Sequence, residues 1–105
     1  MVKMVNLLVR KAAMPHDEFE RYLEETHAPI ASELPGLERY VTSIPRDASR
    51  AAYDAIAELY FEDSAAMKAA FDSEVGQRVQ ADAAEFLDQE AGETLVVDET
   101  VRVDR

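Results

Sequence analysis

The sequence predicts an α+β domain with elements in the order βαββαβ, and three observations carry that reading. Residues 2–10, 37–45, 54–62 and 93–103 have the β-branched, apolar or alternating character of strands. Residues 15–34 and 63–89 instead repeat apolar side chains at helical spacing. The short breaks between them leave no linker, repeat or low-complexity stretch in the 105 residues, so a single domain over 1–105 is expected. Two split βαβ halves of this kind make a ferredoxin-like fold, an antiparallel four-stranded sheet with its helices on one face.

The first strand is mostly apolar and alternates poorly, which suits a central strand covered on both faces. In the first helix, Pro15 suits the first turn, and Asp17, Glu18 and Glu20 suit the positive end of the helix dipole. At ~100° per residue, Phe19, Leu23, Thr26, Ile30 and Leu34 form one apolar stripe, with Tyr22 and His27 on its two edges. Pro29 lacks a backbone donor and should loosen the last turn, and Pro35-Gly36 should end the helix.

The second strand should direct Leu37, Arg39, Val41 and Ser43 one way and Glu38, Tyr40, Thr42 and Ile44 the other. Residues 46–53 read as a loop. The third strand should put Ala55, Ala57, Leu59 and Phe61 on one face and Ile56, Glu58 and Tyr60 on the other. A helix over 63–74, capped by Asp63 or Ser64, turns Met67, Ala70 and Phe71 inward. A further helical segment over 75–89 follows, with Gly76 marking the break between the two. The last strand, 93–103, aligns Leu95, Val97, Val101 and Val103. With helices on one face only, the other sheet face is left semi-apolar and open. Pairing of two such faces in a twofold homodimer would cover it.

Composition narrows the function. Acidic residues number 22 against 11 basic ones, a net charge of −11, which repels nucleic acid and anionic membranes. Only Lys3, Lys11 and Lys68 are lysines, and the acids are spread over every element, a pattern that suits a solvated, halophilic-type shell in a saline cytoplasm. No apolar run approaches the ~20 residues of a membrane span. The first ten residues lack the pattern of a signal peptide, so a cytoplasmic protein is expected.

No cofactor or metal is expected. Cysteine is absent, which excludes thiol chemistry and thiolate ligands. His16 and His27 are eleven residues apart, roughly 16 Å along an ideal helix. No calcium-loop spacing occurs, and three glycines are too few for a phosphate cradle or a dinucleotide fingerprint.

Among chemically capable residues, His27 stands out. At the rim of an apolar pocket its imidazole can act as a general base. Equally, it can pin the helix end by bonding a carbonyl freed by Pro29. Tyr22, Tyr40 and Tyr60 can line a pocket and offer hydroxyls, or simply pack with the hydroxyl at a wet edge. Glu58, in mid-strand, is either an acid–base group or the ion-pair partner of Arg39, on the neighbouring strand or across the dimer. Asn6 can orient a ligand or bond within the sheet. Asp88 is assigned no chemistry.

Several segments together resemble one family. They are Phe19-x-x-Tyr22 with His27-Ala28-Pro29, Leu34-Pro35-Gly36-Leu37-x-x-Tyr40, Ala57-Glu58-Leu59-Tyr60-Phe61, and Phe86-Leu87-Asp88. In order and spacing they resemble the EthD family of the dimeric α/β-barrel superfamily, although the tryptophans that many members carry near Tyr22 and Tyr60 are absent here. The resemblance implies a homodimer whose two sheets form a barrel, with a pocket between sheet and helices in each protomer. It implies binding of a small apolar, aromatic or ketonic metabolite. The implied chemistry is cofactor-independent proton transfer, isomerisation or oxygenation, in degradation or secondary metabolism. The other reading is a non-catalytic ligand-binding or accessory dimer. His27 is then the catalytic candidate, and Asn6, Tyr22, Tyr40, Glu58 and Tyr60 are the ligand-binding candidates.

Overall fold

In the computed structural model, which describes residues 1–105, four strands form one antiparallel sheet. They are β1 (Val2–Leu8), β2 (Arg39–Ser43), β3 (Ala55–Phe61) and β4 (Glu93–Asp98), side by side in the order β2-β3-β1-β4. Between them lie α1 (His16–Tyr22), a π turn (Leu23–His27), α2 (Ala28–Ala31), α3 (Ser64–Asp72) and α4 (Glu74–Phe86), plus a short 3₁₀ turn at Ala48–Arg50. This is the ferredoxin-like βαββαβ fold.

Register decides which side chains share a face. Asn6 lies opposite Ala57 on β3 and Thr94 on β4, and Tyr40 lies opposite Leu59. Directly opposed residues point to the same side, so Asn6, Tyr40, Ala57, Leu59 and Thr94 share the face beneath the helices. Lys3, opposite Tyr60, and Val5, opposite Glu58, belong to the other face. The core sits between the helices and the first of these faces. Phe19, Phe61 and Phe86 are its largest fully buried side chains.

The first helix departs from the α-helical expectation where Pro29 acts. Pro29 has no N–H to offer the Glu25 carbonyl, and its ring crowds that carbonyl. The helix widens just before it, and the Ala28 N–H donates to Leu23 O, five residues back. Phe19, Leu23, His27 and Ala31, spaced by four, are therefore the buried stripe. In a straight α-helix a spacing of four drifts by about 40° per step, and the wide turn takes up part of that drift. Thr26 is left exposed and Ile30 half-buried, so the expected stripe slips by one residue and His27 moves from its edge to its centre.

Other boundaries shift for local reasons. Asp63 caps α3, its carboxylate accepting the Ala66 N–H at 2.8 Å. The α3–α4 break falls at Ser73, not Gly76, and Ser73 Oγ caps α4 by accepting the Gly76 N–H at 3.1 Å. Gly76 serves close approach, since a Cβ there would stand 2.4 Å from the carbonyl oxygens of Ala70 and Phe71. Gly36, at φ 77°, makes the left-handed turn after α2. β4 stops at Asp98, so Val101 and Val103 are exposed and outside the sheet. No helix is long and apolar enough to cross a membrane.

Candidate functional site

Between sheet and helices lies a cavity of about 710 Å³, and 13 of its 23 lining residues are hydrophobic. Met4, Asn6, Tyr40, Ala57, Leu59 and Thr94 form the sheet side. His27, Ala31, Met67, Phe71, Val79 and Ala83 form the helix side. Exposed residues of the lining, Lys68, Gln80, Asp88, Gln89 and Glu93 among them, mark the mouth.

The π turn delivers His27 to this cavity, with 8% of the residue exposed. Its Nδ1 is 2.8 Å from Asp82 Oδ2. The other carboxylate oxygen, Oδ1, accepts the Tyr22 hydroxyl at 2.7 Å. An ionised carboxylate only accepts, so Nδ1 carries the proton that it donates to Asp82. Nε2 is then left with a free lone pair, makes no hydrogen bond within the protein, and belongs to the cavity wall. Phe86 fixes the arrangement from beneath, its ring centroid 4.9 Å from His27 and 4.7 Å from Tyr22. The hydrogen bond to Asp82, then burial, pushes the Tyr22 hydroxyl up to about 12.

The sheet side supplies two further polar groups. Burial pushes the Tyr40 hydroxyl up to about 12, and that hydroxyl has no partner within the protein although its residue lines the cavity. Asn6 Oδ1 accepts the Thr94 hydroxyl at 2.8 Å, which leaves the Asn6 amide N–H groups for the cavity. Around them the wall is Met4, Ala57 and Leu59, where an unmatched polar ligand would lose its water without compensation.

Three candidates stand elsewhere. Tyr22 does not line the cavity, because its hydroxyl is committed to Asp82 behind the imidazole. Glu58 and Tyr60 occupy the opposite face of the sheet, an outcome of the two-residue alternation that places Ala57 and Leu59 in the cavity. There Lys3 Nζ bonds both Glu58 and Glu99 at 2.8 Å, and the Tyr60 hydroxyl donates to Glu99 at 2.8 Å. Within the protomer Glu58 thus pairs with Lys3 rather than Arg39, whose guanidinium lies 5.4 Å from the Tyr60 ring centre. The same contacts raise the Lys3 ammonium above its ordinary range and lower the Glu99 carboxyl, Lys3 being the larger cause. His16 pairs with Asp54 at 3.2 Å, remote from His27, and no group of three metal-ligating side chains gathers anywhere.

Asp82 is the residue that sequence reading missed. One signal was present: Val79 and Phe86 set the buried face of α4, and Asp82 lies on that face, three residues after Val79. A carboxylate on an apolar stripe needs a partner, and His27 and Tyr22 are the partners.

Solved structures with this fold span nearly the whole chain. An ethyl tert-butyl ether D (EthD) family protein of Bacillus halodurans superposes with a TM-score of 0.83 at 20% identity, covering 95% of this chain and 99% of that one. A dimeric ferredoxin-like protein of unknown function from Thermobifida fusca gives 0.69 at 14% identity, covering 91% and 86%. SnoaB, a cofactor-independent oxygenase of Streptomyces nogalater, gives 0.74 at 15% identity, covering 99% and 97%. At such identities the likeness establishes the fold. No curated protein matches the sequence. The EthD domain matches residues 11–90, a span that contains His27, Tyr40 and Asp82, and the chain belongs to the EthD domain family.

Proposed function

We propose that this protein is a homodimer that binds a small, largely apolar aromatic or ketonic metabolite, one per protomer, and moves a proton on it with His27 and without a cofactor. One observation carries the catalytic part: the imidazole is pinned at Nδ1 while Nε2 is left unpaired in an apolar cavity. Asn6 and Tyr40 hold the ligand from the sheet side. Tyr22 acts behind the imidazole, and Glu58 and Tyr60 belong to the dimer face rather than to the ligand. The dimer is supported by that open face, where Ile56 and Leu95 are exposed, and by the dimeric state of the T. fusca neighbour. A single domain over 1–105, working in a saline cytoplasm, completes the reading.

A second reading is a non-catalytic binding or accessory dimer, favoured by the predominance of hydrophobic wall over polar groups. Small molecules extracted from natively purified protein, identified by mass spectrometry, supply the compound to test. Turnover by the wild type that is lost in His27→Ala, with binding and dimer retained, is the expected result. Equal binding by both proteins with no conversion by either would establish the second reading instead.

A further inference from the structure

We propose that the cavity takes in a neutral, weakly acidic molecule, a phenol or an enolisable ketone, and holds it as its conjugate base with the proton on His27 Nε2. This rests on reading the cavity as a ligand site and adds the direction of proton flow, the charge of the ligand and two positioning residues.

The direction follows from Asp82. Its two oxygens face two donors, the Tyr22 hydroxyl at 2.7 Å and His27 Nδ1 at 2.8 Å. Nε2 therefore rests as an acceptor, and the first transfer runs from ligand to protein. When Nε2 gains a proton, Nδ1–H already donates to the carboxylate, so the imidazolium is stabilised with no rearrangement. Two other charged contacts lie on the helices that pack here. Glu85 on α4 acts on Tyr22, and the Arg78–Glu33 contact between α4 and the end of α2 is long and exposed at 3.9 Å. Across the cavity stands Tyr40, a hydroxyl without a protein partner. With the Asn6 amide, oriented by Thr94, it offers hydrogen-bond donors to the oxygen on which negative charge appears.

The charge of the ligand follows from what lines the cavity. Its one permanent cation is Lys68, at the exposed mouth and paired with Asp72 at 2.6 Å, while Asp88 and Glu93 lie in the same wall. The protein carries −11. A permanent anion is repelled on approach and meets no unpaired cation inside. A neutral molecule enters freely, and the imidazolium made in the transfer becomes the counter-ion. The step balances: the ligand O–H or α C–H bond breaks, the Nε2–H bond forms, and the electron pair stays on the ligand as phenolate or enolate.

Tyr22 makes Asp82→Asn a sharp variant. Where the Tyr22 hydroxyl goes on donating, as it does to Asp82 at 2.7 Å, it keeps the amide oxygen and turns the amide NH₂ toward Nδ1. That selects the wrong tautomer, with Nε2 protonated and unable to accept. Removing the hydroxyl as well (Tyr22→Phe in the same chain) frees the amide to turn its oxygen back.

The test titrates para-nitrophenol by its phenolate absorbance, with and without protein, beside calorimetric binding of nitrobenzene, which has no acidic proton. The bound phenol should ionise about tenfold more readily, one pKa unit lower. His27→Gln and Asp82→Asn should abolish the shift, and Asp82→Asn with Tyr22→Phe should recover part of it. If nitrobenzene and the phenol both bind but the phenol titrates as in water, the proposal is overturned while the cavity remains a ligand site. If the double variant recovers nothing, the tautomer role of Asp82 and Tyr22 is overturned. If neither compound binds, the cavity reading and the proposal fail together.

Discussion

The two faces of the sheet treat their polar groups in opposite ways. On the open face, polar side chains satisfy one another: Lys3 bridges Glu58 and Glu99, and Tyr60 bonds Glu99. Beneath the helices, three polar groups of the cavity wall keep a valence back. His27 spends Nδ1 on Asp82 and Asn6 spends its oxygen on Thr94, while Tyr40 spends nothing. A closed network specifies how surfaces fit, whereas a half-spent one specifies what a third molecule must offer. The same strand, β3, feeds both faces by simple alternation, so the proposed binding of a ligand and the proposed pairing of protomers can be disturbed separately.

The harshest way to break the comparison is Phe86→Ala. Phe86 is fully buried and stacks on Phe19, Tyr22 and His27 at once, with centroids 5.6, 4.7 and 4.9 Å away. Truncating a buried phenylalanine costs about 3–5 kcal/mol. In a domain of this size that lowers the melting temperature by roughly 15–30 °C, readable by calorimetry. Ring signals of His27 and Tyr22 should broaden before any change near Tyr60. A melting temperature within a few degrees of wild type would show that the imidazole is not held from that side.

The next largest effect falls on the other face. Ile56→Arg and Leu95→Arg each put a cation on an exposed apolar position of the open sheet. Either should weaken self-association by at least about tenfold, or 1.4 kcal/mol, in sedimentation, while leaving binding of nitrobenzene in the cavity unchanged. A wild-type protein that stays monomeric at all concentrations removes the dimer from the proposal outright.

Smaller again is the effect of acid on the open face. The Glu99 carboxyl is lowered in the folded protein, so the unfolded chain binds its proton more tightly. Its contribution is therefore present above the ordinary carboxylate range and is lost as pH falls below that range toward its own lowered value. Lys3→Met removes the partner. It should flatten the acid limb of a melting-temperature profile and raise the folded-state Glu99 titration seen by carboxyl NMR. An acid limb unchanged by Lys3→Met would mean that the Lys3 bridge is not what lowers Glu99.

How much of this was legible depends on the range of the interaction. Alternation and helical period are local, and they gave the strand faces, the order of elements and the core stripe as far as Leu23. The slip at Thr26 and Ile30 was not legible, because 100° per residue was carried past a proline whose effect is to change that angle. His27 was readable as a pocket-edge group, but its partner is 55 residues away. No pattern in the first helix calls for Asp82. The error over Glu58 has the same origin. Arg39 seemed its natural cross-strand partner, yet register places Val41 opposite Glu58 on β2, and Lys3 reaches it from β1. Listing Glu58 and Tyr60 with the cavity residues overlooked an alternation already visible in the sequence.

The smallest effect tests the comparison at the level of single protons. Tyr22 and Tyr40, both on the helix side of the sheet, are pushed up to about 12, one mainly by the Asp82 hydrogen bond and the other by burial. A tyrosine in the unfolded chain ionises near 10. The folded state thus holds these two protons more tightly. Their contribution to stability is complete below about pH 10 and drains away as pH rises toward 12. Followed by phenolate absorbance, ionisation should show these two protons late, beside that of Tyr53, which its hydrogen bond to Glu93 also raises. Tyr22→Phe and Tyr40→Phe should each remove one of them. Because the causes differ, a ligand should separate the pair. A neutral hydroxyl compound seated against Tyr40 should delay that titration further and leave Tyr22 where it was. If filling the cavity moved Tyr22 and left Tyr40 unchanged, the ligand would be sitting behind the imidazole rather than in front of it, and the assignment of Nε2 as the reactive nitrogen would have to be reversed.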